Sequence, residues 1–369
     1  MGRRLKIALY NLTTTTKSGG IETFNWSMAR YLSLKGHSVD IYGGRGTGVS
    51  EDLKGVNVLT YPYIPRERIP NLGTRFRKMF ERLSFGAFAL RSLVKGRYDL
   101  IYIHKPFDMP AALLASRLSG AKVVFGSGGT EFFPLYKTFA KRLDYFFACS
   151  AFNAGEIAAY CRIRPKVLYN GVDTRRFRPK SADRALRASL NIKENDKVLI
   201  SACRLVGWKG LQYAIKALPE VSKRHQVKYL VIGKGEYAAE LKKLSSSMGL
   251  EKMVSFLGQI PNDKLPEYYS LADIAIFPSV ADETFGIAIA EAMASGVPVI
   301  ATNAGGIPEV VGDSGVLVSP RDDSAIAGAI LKLLGDDGLR KKLGEAGRAH
   351  VEDNFSWEKV IKRFEDYIG

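Results

Sequence analysis

Apolar and polar positions fall in blocks along this chain, and the period of the pattern changes from block to block. Short apolar runs read as buried strands. The stretches after them carry apolar residues three and four apart, the spacing of a helix. Residues 6–10 read as a strand, 13–20 as a polar loop ending in glycine, and 21–35 as a helix with Phe24, Met28 and Leu32 on one face. Gly36-His37-Ser38 stops that helix and 39–42 is the next strand, a βαβ opening. Strands are also expected at 99–104 and 122–125. A second alternation runs strand 198–202, helix 210–224, strand 228–232, helix 236–248, strand 254–257, helix 264–271 and strand 274–277. A further helix, the strand 297–301, the segment 307–311 and helices at 322–334, 338–353 and 357–368 complete it. Each half is thus its own doubly wound α/β unit. The boundary falls near Asn170-Gly171-Val172-Asp173, giving domains 1–169 and 170–354, with residues 355–369 returning to the first.

The chain is organised around Glu283-Thr284-Phe285-Gly286-Ile287-Ala288-Ile289-Ala290-Glu291. It follows the apolar run 274–278 and reads as strand, tight loop, helix. Glu283 falls in the loop and Glu291 two turns into the helix. Two carboxylates then flank a helix start whose free amides favour an anion. Carboxylates accept from pairs of sugar hydroxyls while the helix end faces phosphate, which is what a sugar nucleotide needs. The spacing alone also fits two surface glutamates on an ordinary helix.

Composition narrows the class. A length of 369 residues suits two domains with cores of their own. Cys149, Cys161 and Cys203 have no paired spacing, which fits a reducing cytoplasm and no disulfide framework or zinc site. No apolar run is long enough for a membrane-spanning helix, and the apolar run after the basic start at 1–4 is too short for a signal core. The net charge of +17 is unevenly placed: residues 1–180 hold 30 Lys and Arg against 12 Asp and Glu, and the remainder is near neutral. That asymmetry suggests an anionic partner, a membrane surface or a nucleic acid. Residues 66–98 mix Arg75, Arg77, Lys78, Arg82, Arg91, Lys95 and Arg97 with Phe76, Phe80, Leu83, Phe85, Phe88 and Leu93. This is the pattern of a basic amphipathic helix on an anionic membrane, or of a helix packed on its own domain with a solvated basic face. Residues 136–147 would extend the same patch.

Ligands of open parallel sheets sit at the carboxyl ends of strands. That places Gly19-Gly20-Ile21, His104 and the turn Gly126-Ser127-Gly128-Gly129-Thr130-Glu131 in a candidate site; His104 reads equally as a structural, hydrogen-bonded histidine. In the second half, Arg204 and Lys209 surround a glycine-containing loop and suit a diphosphate, Arg as a planar fork and Lys as a point charge. Gly233-Lys234-Gly235-Glu236 is another strand-end turn, without the full dinucleotide fingerprint. There is no P-loop pattern and no Asp-x-Asp, and the four histidines are far apart. No metal or other cofactor is expected.

Taken in order, these stretches resemble glycosyltransferase family 4, the retaining, metal-independent transferases of the GT-B fold. The matching motifs are Asn170-Gly171-Val172-Asp173 with Phe177-Arg178-Pro179, Arg204 with Lys209-Gly210, Gly233-Lys234-Gly235-Glu236, Phe256-Leu257-Gly258, Ala272-Asp273 with Pro278-Ser279, the central motif through Thr302, and Gly305-Gly306-Ile307-Pro308-Glu309. The resemblance implies two Rossmann-like domains facing each other across a cleft. It implies that Arg204 and Lys209 bind the donor diphosphate, that Glu283 contacts the donor sugar, and that the Phe285-Gly286-Ile287 backbone, with Thr284 beside it, faces sugar and phosphate. Glu291 would hold the ribose, Ile260 would lie by the base, Gly233 would line the donor site, and Gly20 would close on the phosphates from the first domain. Many members carry a histidine where this chain has Gly128; Glu131 or His104 would replace it on the acceptor side.

The sequence therefore predicts a retaining hexosyltransferase that uses a nucleotide sugar, with a UDP-sugar favoured over GDP-mannose. The acceptor is a glycolipid or lipid-linked glycan of surface polysaccharide synthesis, met by a peripheral protein on the cytoplasmic face of the membrane. The rivals are a transferase with a soluble acceptor and, remotely, a basic nucleic-acid-binding protein.

Overall fold

The computed structural model describes residues 3–17, 19–46 and 53–369. Met1 and Gly2 of the basic start and Ser18 of the 13–20 loop lie outside them. The chain divides into two compact units, Met1–Gly171 with Trp357–Gly369, and Val172–Ser356.

In the first unit, β1 (Lys6–Tyr10), β2 (Ser38–Gly44), β3 (Val56–Tyr61), β4 (Leu100–Ile103), β5 (Lys122–Ser127), β6 (Tyr145–Ala148) and β7 (Lys166–Val167) form one sheet in the order β3-β2-β1-β4-β5-β6-β7. Every pairing is parallel. Parallel strands need helical crossovers that cover both faces, so the central ones are apolar throughout; Ile7, Ala8, Leu9 and Tyr10 are fully buried. The helix Gly20–Leu34 lays Phe24, Met28 and Leu32 on one face. The C-terminal helix Trp357–Ile368 belongs to this unit. Its Trp357 lies against Phe24 and stacks on Tyr31, and His37 Nε2 meets Glu365 Oε1 at 3.0 Å. In the second unit, β8 (Lys197–Ala202), β9 (Val227–Ile232), β10 (Val254–Gly258), β11 (Ile274–Phe277), β12 (Val299–Thr302) and β13 (Val316–Val318) take the order β10-β9-β8-β11-β12-β13, again all parallel. The strand order reverses at β1/β4 in one sheet and at β8/β11 in the other. Crevices at such reversals are where open α/β sheets hold ligands.

Several expectations change. The polar loop at 13–20 begins as a buried 3-10 turn, Leu12–Thr15, because its threonines are bonded inward: Asn25 Nδ2 donates to Thr14 Oγ1 at 2.7 Å and Thr15 Oγ1 to Gly44 O at 2.6 Å. The strands β3, β6, β7 and β13 were not expected. Of residues 136–147, Lys137, Lys141 and Arg142 are exposed as expected, but the apolar side chains between them do not extend a surface patch. The segment forms a short helix, Tyr136–Ala140, and then enters β6, with Tyr136 and Phe147 in the core. The basic segment folds as the helix Thr74–Lys95, but Phe85 and Leu93 are core residues and Arg82 is buried beside Asp108. What stays outside is a narrower stripe of Phe80, Leu83 and Phe88 with Leu72 just before the helix, flanked by exposed Arg75, Arg91 and Lys95. Among the described residues no helix is long and apolar enough to cross a membrane.

Candidate active site

The carboxyl ends of β8, β9, β10 and β11 carry the residues singled out in the second half. After β8 the chain makes a 3-10 turn, Gly207–Lys209, and enters the helix Leu211–Ser222 through Gly210, at φ +72°. A Cβ on Gly210 would lie 1.8 Å from the Pro278 carbonyl oxygen, and Val280 N donates to Trp208 O at 2.8 Å. The two loops are thus locked together, and this seats Lys209 over Glu283: Nζ to Oε1 is 2.7 Å. Ser279 Oγ donates to the same oxygen, and Thr302 Oγ1 fixes the Ser279 carbonyl at 2.6 Å. The Glu283 backbone bridges to Gly305, at φ +61°, where a Cβ would stand 2.4 Å from the Glu283 carbonyl oxygen. Glu283 Oε2 has no hydrogen-bond partner among the described residues, so it is the oxygen able to accept from a sugar hydroxyl. Arg204 is exposed; its guanidinium and the Lys209 ammonium lie 5.7 and 4.7 Å from the Trp208 ring centroid. Both cations therefore lie within cation–π range of one indole ring.

Gly286 opens the helix Ile287–Ala294 at φ +92°. The helix starts later than the sequence suggested, so Glu291 lies little more than one turn into it. Phe285 turns its ring inward onto Phe355, 5.4 Å between centroids, which leaves backbone rather than side chain at the turn; Thr284 and Ile287 are half-buried beside it. Glu291 is buried and accepts from Asn262 Nδ2 at 3.0 Å; Arg176 Nη1 donates to Asn262 Oδ1 at 3.3 Å. Ile260, half-buried, follows β10 two residues before Asn262. Gly233 follows β9 at φ +137°, against the Cys203 carbonyl.

Burial pushes Glu291 up to about 7, against the pull of the Asn262 hydrogen bond and the Arg176 charge. Only the ionised carboxylate accepts from two hydroxyls. Ligand affinity at this end of the site is therefore expected to weaken as pH falls below about 7, and Glu291→Gln to flatten that dependence; a titration at several pH values checks both. The stability effect has the opposite sign. The folded carboxyl holds its proton more tightly than an ordinary one, so its contribution to the unliganded fold declines as pH rises from the ordinary glutamate value of 4.5 through about 7.

The first-unit candidates take these places within their own unit. Gly20 opens its helix with Gly19 before it. His104 is buried: its Nε2 lies 2.7 Å from Asn25 Oδ1, its Nδ1 3.3 Å from Gly126 O, and Phe24 and Tyr102 pack on the ring. Burial lowers it to about 3, which favours the neutral ring, able to donate to only one of these two oxygens, and its packing is that of a structural histidine. Glu131 pairs with Lys78 at 2.7 Å; burial works against its ionisation, but that bond and the Lys78, Lys105 and Arg82 charges hold it below the usual range. Gly128 lies exposed in the turn after β5. The sequence reading gave no role to Trp208, Ser279, Asn262, Arg176 or Thr302. Only Trp208, between the two cations, and Ser279, at a strand end, carried a local signal.

The family described as Glycosyltransferase Family 4 matches residues 18–176, and that described as Glycosyl transferases group 1 matches residues 182–350. Over 95% of both chains, this sequence is 30% identical to a GDP-mannose-dependent alpha-(1-6)-phosphatidylinositol monomannoside mannosyltransferase of Mycobacterium tuberculosis. The chain belongs to glycosyltransferase family 4. An uncharacterized glycosyltransferase of Methanocaldococcus jannaschii is 32% identical over 219 residues, which span 58% of this family 4 chain and only 54% of that protein. Among solved structures, the Anabaena protein HepE in complex with UDP and glucose superposes with TM-score 0.80 at 23% identity, covering 99% of both chains. The two parallel sheets of this glycosyltransferase are those of the GT-B fold.

Proposed function

We propose that this glycosyltransferase moves a hexose-type sugar, with retention and without a metal ion, from a nucleotide sugar to an acceptor hydroxyl borne on a membrane glycolipid or lipid-linked glycan. The observation that carries the reading is the pair of half-satisfied carboxylates: Glu283, bound through one oxygen to Lys209 and Ser279, and Glu291, bound through one oxygen to Asn262. Each keeps an oxygen for hydroxyls, Glu283 for the sugar and Glu291 for the ribose, with the Gly286 turn between them for phosphate. Arg204 and Lys209 lie where the departing diphosphate gathers charge. The acceptor oxygen attacks C1 on the face the diphosphate leaves, the C1–O bond to phosphate breaks, and the acceptor proton passes to the leaving phosphate oxygen. The sequence alone favours a UDP-sugar, but the mannosyltransferase similar over nearly the whole chain makes GDP-mannose the first donor to try. Proton NMR of the sugar released by slow donor hydrolysis tests the stereochemistry: the donor's anomer should appear first, and the inverted anomer first would overturn retention.

The acceptor side rests on the exposed stripe of the helix Thr74–Lys95 and its basic flanks, which suit the inner membrane surface. Co-sedimentation should favour vesicles with phosphatidylglycerol over pure phosphatidylcholine and weaken with Phe80→Ser and Phe88→Ser. Equal partition would remove the membrane from the account.

A further inference from the structure

The stretch from Asp173 to Phe177, which closes the motif at the start of the second unit, has no task in the donor chemistry above. It folds as a turn. Asp173 Oδ1 accepts from Arg175 N at 3.2 Å and from Arg176 N at 3.1 Å, and Asp173 Oδ2 lies 3.8 Å from Arg176 Nε. Arg348 donates to the Phe177 carbonyl and to Thr174 O at 3.0 Å, and also to Ala294 O at 2.7 Å, at the end of the helix that carries Glu291. The turn is thus tied to that helix. From it Arg176 Nη1 donates to Asn262 Oδ1 at 3.3 Å, and Asn262 Nδ2 donates to Glu291 Oε1 at 3.0 Å.

The order of these contacts follows from what each group can do. A guanidinium only donates, so Arg176 takes the amide oxygen and leaves the amide nitrogen facing Glu291. Turned over, Asn262 would set its oxygen against the carboxyl, a contact that only a protonated Glu291 could satisfy. Burial raises the pKa of Glu291, and the Asn262 bond and the Arg176 charge pull it back. Glu309 and Arg348 lie on helices packed against Ile287–Ala294, and the Tyr269 hydroxyl donates to Ala288 O at 3.3 Å. Among these and Arg176, the charge that acts on Glu291 is that of Arg176.

We propose that Arg176 is a positioning residue for nucleotide binding: it holds the Asn262 amide with its nitrogen toward Glu291, so that this carboxylate receives the ribose hydroxyls. This rests on the reading that Glu291 meets the ribose.

The test is calorimetric titration of the full chain with GDP, UDP and their 2′-deoxy forms between about pH 6 and pH 9, beside thermal melts. Arg176→Met should bind the preferred nucleotide about two- to fivefold more weakly near neutral pH, the worth of one partly exposed charge. It should regain the wild-type affinity at the alkaline end, because the midpoint of the pH dependence has moved up. A merely loosened fold would not be repaired by pH. Arg176→Lys keeps a donor and a charge and should recover most of the loss. Asn262→Leu should weaken binding as well, and Arg176→Met added to it should change little further, since the arginine acts through the amide. A pH profile in Arg176→Met that matches the wild type, or two losses that simply add, overturns the proposal. Wild-type affinity that ignores the 2′-hydroxyl, or binding of neither nucleotide, removes the ribose from Glu291 and the proposal with it.

Discussion

Lys209→Ala is expected to lower turnover about 10²–10³-fold, the usual loss when one preorganised group facing developing charge is removed. The lysine does two things at once. Its ammonium lies 2.7 Å from Glu283 Oε1 and 4.7 Å from the Trp208 ring; in the proposed reaction it would orient the carboxylate that meets the sugar and place a positive charge beside the leaving diphosphate. Among the described residues, removing it leaves Ser279 as the side-chain partner of Glu283 and Arg204 as the cation on the indole. Folding should suffer less than turnover: Lys209 is 16% exposed and its loss leaves Glu283 short of a cation, but Ser279 still donates to that carboxylate and the backbone lock between Val280 and Trp208 does not use the lysine side chain. Lys209→Arg keeps the charge but replaces a compact donor with a planar fork, and should recover only part of the rate. Steady-state kinetics beside a thermal melt separates the two effects. Wild-type turnover in the alanine variant would remove Lys209 from the diphosphate site.

Arg82→Met should destabilise the fold by about 3–5 kcal/mol. Asp108 is fully buried, and one of its carboxylate oxygens already lacks a partner. Burial raises its pKa and Arg82 opposes that. Without the guanidinium the folded chain must carry a lone buried charge or take up a proton. The variant's handicap should therefore grow as pH rises above the ordinary carboxylate value of 3.8 and shrink below it. Arg82→Met with Asp108→Asn should recover part of the loss, since the uncompensated charge is gone. Urea unfolding of the two variants near neutral and acid pH checks this; a single variant as stable as the wild type at neutral pH would mean the pair is dispensable.

These two sites mark the limits of what the sequence shows. The second unit was legible because its strands are uninterrupted apolar runs and its chemistry stands at their ends, so that Arg204, Lys209, Glu283 and Glu291 could be named before their positions were known. Their supports could not be. Asn262 reaches Glu291 from another strand end, and Thr302 braces Ser279 from a third. In the first unit, the aromatic run of β6 beside Lys141 and Arg142 looked like an amphipathic surface, yet parallel pairing draws it into the sheet. Arg82 counted as a surface charge because its partner lies on a different element. His104 stood at a strand end, as a ligand residue would, but Asn25 and Gly126 engage both of its nitrogens. Periodicity reports which face of an element is apolar. It does not report which polar groups are satisfied across elements.

The measurement closest to the central claim is calorimetric titration of the full chain, in EDTA, with GDP-mannose, UDP-glucose, UDP-galactose and UDP-N-acetylglucosamine, repeated on Glu291→Gln. The account predicts saturable binding of one donor without metal and markedly weaker binding by the variant. Binding that appears only when a divalent metal is restored, or equal affinity in Glu291→Gln, would contradict it.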